Sequence, residues 1–182
     1  MHMATKMRWS RADLERLPDD GNRYEVLDGQ LFVTPSPLFP HQWIATRLTY
    51  FLTPYVDQHR LGSVVGPGVV VVGKNELLPD VAVIPIGPLG APEKWDQLPQ
   101  AILVTEVLSR TTRRRDLVDK RAAYQRWRIP IYWVIDRFER RALVWTPESE
   151  TEATITDQLV WQPRADIDPL VIRLDDILIP VA

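Results

Sequence analysis

Two strand-like runs of this chain are apolar apart from one embedded acid, and a helical stretch carries a lysine on its apolar face. The runs LLPDVAVI and AILVTEVLS have the length and composition of buried strands, and they carry Asp80 and Glu106. The stretch DLVDKRAAYQRWR has helical spacing instead. With Asp116 at zero and about 100° per residue, Leu117 falls near 100°, Ala123 near 340°, Tyr124 near 80° and Trp127 near 20°. Lys120 falls near 40°, inside that apolar arc, whereas Asp119, Arg121, Gln125 and Arg126 face away. A buried ammonium needs partners, and so does a buried carboxylate.

The remaining pattern supplies the frame. SRADLERL predicts a short helix with Ser10 as its N-cap. RYEVLDGQLFVTP predicts a β-hairpin, two alternating runs joined by Asp28-Gly29 in a tight type I′ turn. From about His41 to His59, Ile44, Leu48, Phe51/Leu52 and Tyr55/Val56 recur at helical spacing, and Pro54 is expected to kink that helix. SVVGPGVVVVG and LLPDVAVI predict a strand pair turning at Lys74-Asn75-Glu76. A Pro/Gly-rich loop over residues 85–99 precedes the Glu106 strand. The basic helix and the strand IPIYWVID then complete a strand–helix–strand crossover, which sets its two strands parallel. ALVW, TITDQLVW and PLVIRL read as further strands, and DDILIP as a terminal turn. The expectation is one α/β domain over residues 1–182, with a mixed central sheet flanked by helices and an N-terminal β-hairpin.

Composition narrows the class. A chain of 182 residues with 45% hydrophobic content can fill one substantial core. Its apolar runs are too short to span a bilayer and no signal segment is visible, so a soluble, cytoplasmic protein without membrane contact is expected. Zero cysteines exclude a disulfide framework and thiolate metal sites. His2, in the start MHM, is assigned no role. Net charge is −2 but uneven: Glu106–Arg141 holds eleven Lys/Arg and five Asp/Glu, while Ala142 onward holds eight acids and two arginines. RTTRRRDLVDKR is compatible with a phosphate-binding patch or with an ordinary solvated helix face.

Two carboxylates brought together in an apolar setting repel and tend to protonate, and a divalent cation removes that penalty. Mg²⁺ takes hard oxygen ligands, so Asp80 and Glu106 are the candidate metal ligands. Lys120 would orient or deprotonate the attacking water, or stabilise charge on phosphorus. Glu25, on a half-buried strand, is a further candidate. Against this stands the reading that each charge sits at a strand end or snorkels to solvent. The two internal histidines, His41 and His59, form no HExxH pair, and neither GxSxG nor a phosphate loop occurs. His41 is a candidate for phosphate contact or proton transfer, against capping or packing. Trp127, Trp133 and Trp145 read as core.

The succession RYEVLDGQLFVTPSP…HQ, LPDVAVI and LVTEVLS…RRRDLVDKRAAYQRWRIPIYWVID resembles the Uma-type family of putative restriction endonucleases, within the PD-(D/E)xK nuclease superfamily. The resemblance spans about residues 23–145 and implies a restriction-endonuclease-like core. Pro79-Asp80 matches the Pro-Asp motif, Glu106 the second acid, and Glu25 an additional N-terminal acid. The superfamily lysine two residues after that acid is replaced by Leu108, and its function is implied to move to Lys120. Ser109-Arg110-Thr111-Thr112 stands where the family commonly reads Ser-Pro-Ser-Thr.

Two functions follow as expectations. One is a Mg²⁺-dependent (Mn²⁺ alternatively) endonuclease on DNA, with Arg113, Arg114, Arg115 and His41 contacting nucleic acid and a homodimer expected for cutting both strands. The other is a catalytically inactive nucleic-acid- or protein-binding module that keeps the nuclease fold.

Overall fold

The computed structural model describes residues 8–87 and 91–179, so His2, residues 88–90 of the expected Pro/Gly-rich loop and Pro180 at the end of the expected terminal turn lie outside the described residues. Helix α1 (Arg11–Leu14) is held by a capping box between Ser10 and Asp13. It leads into the hairpin of β1 (Arg23–Leu27) and β2 (Gln30–Thr34). Asp28 and Gly29 both take positive φ, 51° and 84°, which closes the expected two-residue turn with Leu27 opposite Gln30.

Helix α2 (Phe39–Gln58) starts two residues before His41, with Pro40 in its first turn, where a missing N–H costs nothing. Its helical turns continue through Pro54 without interruption. Pro54 and Tyr50, whose carbonyl loses its helical donor, both lie on the solvent side, where water can take over the acceptor. The opposite face buries Ile44, Leu48, Leu52 and Val56. Each such side chain contributes about 1.5–3 kcal/mol by leaving water.

The two valine-rich runs do not form one strand pair. They divide into β3 (Ser63–Val65), β4 (Val70–Val72), β5 (Asn75–Leu77) and β6 (Val81–Ile84). The tight turn is Gly73-Lys74, with Val72 opposite Asn75, so Asn75 and Glu76 belong to a strand and not to the turn. Pro67 and Pro79 account for the division, since proline supplies no ladder N–H. β3 pairs with β6, whereas β4 and β5 join the hairpin in a separate sheet of order β2-β1-β5-β4. At Gly66 a Cβ would lie 2.9 Å from the carbonyl oxygen of Asp80, so only glycine lets this chain pass so close to the candidate site.

Next come β7 (Leu103–Val107), a π-helical segment (Arg115–Lys120), α3 (Arg121–Arg126), β8 (Ile131–Asp136), β9 (Arg141–Trp145) and β10 (Ala153–Ile155). Strands β11 (Gln158–Trp161) and β12 (Leu170–Arg173) form a separate pair, followed by α4 (Leu174–Ile177). The central sheet has the order β10-β9-β8-β7-β6-β3. β7 and β8, joined by the crossover helix, run parallel as expected, and the other pairs are antiparallel.

Strand parity sorts the core into two layers. Leu103, Val107, Trp133 and Ile135 face α2, the β11–β12 pair and α4. Val104, Leu108, Tyr132 and Val134 face the hairpin sheet and α3, against Leu27, Leu77 and Tyr124. Glu106 shares parity with Val104 and Leu108, so it points into the layer that holds Lys120.

Candidate active site

The register of the central sheet brings the acids together. Ala82 pairs with Val104 and Val81 with Thr105, so the next antiparallel position sets Asp80 opposite Glu106. Like charges directly opposite destabilise a sheet unless something compensates them. Pro79 ends the ladder at this point, and Asp80 Oδ2 instead accepts a hydrogen bond from the Val107 N–H at 2.9 Å.

The crossover helix supplies the compensation. Lys120 is 1% exposed and lies as far from solvent as the core aromatics. Its Nζ donates to Glu106 Oε1 at 2.6 Å and lies 2.6 Å from Glu25 Oε1. The inward placement read from the helical wheel therefore holds, and the snorkelling alternative does not. Tyr124 Oη, one turn on, reaches the same Glu106 oxygen at 3.3 Å. The segment that carries Lys120 is π-helical, a wider turn that is frequent at functional sites. It turns less per residue than an α-helix, which keeps Asp116 and Lys120 on one buried line.

Glu25 enters from the hairpin sheet. Its Oε1 also accepts the Leu78 N–H at 2.8 Å, and its Oε2 lies 3.3 Å from Arg115 Nη1. Arg115 further donates to Thr34 Oγ1 and stacks over Phe32, so both strands of the hairpin hold it. Asp80 is flanked by Arg23, whose Nη1 donates to Oδ1 at 2.9 Å, and by His41 Nε2, 3.0 Å from Oδ2.

Burial and charge set the protonation states. Burial alone would raise Asp80, but the His41 hydrogen bond and charge, the Val107 N–H and the Lys120 ammonium together hold it below the usual carboxylate range. Glu106 is pushed well above that range by burial, which Lys120 offsets only partly while Asp116, Asp80 and Glu25 add repulsion. Burial likewise raises Asp116. For Lys120 burial acts downward, yet Glu106, Glu25 and Asp116 more than reverse it, so the amine stays an ammonium.

The raised Glu106 has a consequence for stability. Above about pH 4.3 the unfolded chain releases this proton while the folded protein keeps it. Without metal, the contribution of Glu106 to stability is thus full at low pH and declines as pH rises through its raised folded value. Urea midpoints of wild type and Glu106→Gln are expected to shift in favour of the variant over that window. A pH-independent difference would mean that Glu106 ionises as readily folded as unfolded.

These side chains line one cavity of about 540 Å³. Among the described residues, four that line it carry a buried polar atom with no hydrogen-bond partner: His41 Nδ1, Arg137 Nε, and Arg115 Nε and Asp116 Oδ1, which face each other at 3.8 Å. Buried polar groups are ordinarily hydrogen-bonded, so this wall fits a polar occupant. For a divalent cation the oxygen donors of Asp80 and Glu106 are the appropriate type. Among the described residues, however, no group of three or more His, Asp or Glu side chains is placed to hold a metal ion.

The three neighbouring arginines part company. Arg113 pairs with Asp136, Arg114 points to solvent beside Asp119, and Arg115 turns into the cavity. His41 lies in the cavity against Asp80. The sequence reading passed over Arg23, Asp116, Arg110 and Arg137. Arg23 was findable, since it lies two residues before Glu25 and so on the same strand face. Asp116 was findable too, being the origin of the wheel and inside its apolar arc, and it is 1% exposed.

Two acids on adjacent strands, with a lysine from the helix that follows, sit in a restriction-endonuclease-like α/β fold. The sequence matches the Uma2 family, described as "putative restriction endonuclease", over residues 11–171, and the chain belongs to that family. The fold is similar to the crystal structure of a putative nuclease belonging to DUF820 from Anabaena variabilis, with a TM-score of 0.73 at 14% identity. That likeness covers 92% of this chain and 96% of the other. No curated protein matches the sequence. No helix among the described residues is long and apolar enough to cross a membrane.

Proposed function

We propose that the protein is a divalent-metal-dependent endonuclease that hydrolyses DNA phosphodiester bonds, with Asp80, Glu106, Lys120 and Glu25 as its working residues. The observation that carries this reading is the convergence of Lys120 with Glu106 and Glu25, beside Asp80, in a single cavity. Family membership supports a nuclease-like function. Asp80 and Glu106 would hold Mg²⁺ or Mn²⁺, which when bound supplies Lewis-acid polarisation and a more acidic water.

The chain's own groups do the rest. Arg23 and the Val107 N–H orient Asp80, and His41, the Val107 N–H and Lys120 keep it ionised. Lys120 remains protonated, so it acts as a donor and not as the base: Nζ orients the incoming water and offsets the negative charge that grows on phosphorus. Glu25 holds that ammonium in place, and with Arg115 it fixes the hairpin over the cavity. Cutting both strands is met most simply by two copies of the chain.

One observation favours the alternative, a non-catalytic binding module that retains the fold. Each candidate acid already has a cationic partner from the protein itself. Nicking of supercoiled plasmid separates the two. The nuclease reading expects cleavage with Mg²⁺ or Mn²⁺ that stops with chelator, and no cleavage under any metal, with DNA or protein binding retained, would favour the binding module instead.

A further inference from the structure

We propose that Arg110 and Arg137, both stacked against Phe138 at the cavity wall, form a subsite that grips a backbone phosphate of the bound DNA strand next to the one cleaved. This rests on the nuclease reading and specifies how that site holds its substrate.

Both arginines line the cavity that contains Asp80, Glu106 and Lys120. Their guanidinium carbons lie 5.7 Å and 4.2 Å from the centre of the Phe138 ring. Stacking on the ring pre-orients the guanidinium forks, so less side-chain freedom is lost when an anion is bound. Among the described residues, neither has a carboxylate within ion-pair distance. The other cavity cations Arg23, Arg115 and Lys120 each have one. Arg137 Nε is closed to solvent and has no acceptor in the protein. An ordinary surface arginine keeps its donors in water, so this one is arranged for an acceptor that the protein does not provide.

The geometry also specifies the class of ligand. Two guanidinium groups without an ion-pair partner among the described residues lie against one ring, and the hydroxyl-bearing Thr111 and Thr112 line the same cavity. That set matches the oxygens of a phosphodiester, which guanidinium groups bind bidentately. It offers little to read a base edge, so the grip is sequence-independent.

The test is fluorescence anisotropy with a short labelled duplex of mixed sequence and its single strand, without divalent metal so that nothing is cut. Arg110→Gln and Arg137→Gln are each expected to lower the magnitude of the log Kd–log salt slope by about 1, and the double variant by about 2, equally for unrelated sequences. Arg164→Gln, which removes a positive charge from the acidic C-terminal stretch, should leave the slope unchanged. Arg110 is exposed, so its variant is expected to fold, and thermal midpoints check both proteins. If the double variant binds like wild type while wild type still nicks plasmid, the subsite is wrong and the nuclease reading stands. If wild type neither binds nor nicks, both fall.

Discussion

Replacing Lys120 by methionine is expected to lower metal-dependent plasmid nicking by at least about a hundredfold, the usual worth of one preorganised donor at a developing negative charge. Methionine keeps much of the side-chain volume but removes the ammonium that Glu25 and Glu106 share at 2.6 Å each. Folding should suffer as well, since breaking a buried ion pair by deleting one partner costs about 3–5 kcal/mol. The loss should be smaller at acidic pH, where Glu106 takes up a proton. Lys120→Met combined with Glu25→Gln separates the two effects, because the pair is removed together. This double variant should regain much of the stability, read from urea midpoints, and none of the nicking. Recovery of activity with stability would reduce Lys120 to a structural counter-ion.

Asp80→Asn is expected to abolish the heat of Mn²⁺ binding in calorimetric titration and to remove nicking with it. Asparagine preserves the size and one oxygen acceptor, so the Val107 N–H can keep its bond. The charge that would hold a cation is lost, and Arg23 and His41 lose their anion. The structural cost is expected to stay within about 1–3 kcal/mol, because neither partner is left wholly buried without water. Mn²⁺ binding equal to wild type would show that the cation is held elsewhere.

Much of this site was legible in the chain, for a local reason. Helical periodicity placed Lys120 among apolar neighbours, and the structure buries it there. The Asp-Gly turn and the alternating runs gave the hairpin that carries Glu25. The same rules contained Arg23 and Asp116, by strand parity and by position on the wheel, but attention to the strongest motif passed them by. Composition without geometry says less. A run of valines reads locally as continuous strand, but Pro67 and Pro79 interrupt the ladder. Arg113, Arg114 and Arg115 are neighbours in the chain, but consecutive helix positions point in different directions. One of them meets Asp136, one meets solvent and one meets Glu25.

By itself, then, the chain determined which side of each strand and helix is buried, and so which charges must find partners out of water. That information lies in the spacing of near neighbours. Tertiary structure decided who those partners are. The β6–β7 register sets Asp80 opposite Glu106, and the packing of the hairpin sheet on α3 and the π-helical segment delivers Glu25 to Lys120 and Arg115. The same packing leaves Arg137 without an acceptor. Residues so distant along the chain meet only because two apolar layers close on the sheet, and no local pattern encodes which charge will then lie within 3 Å of another.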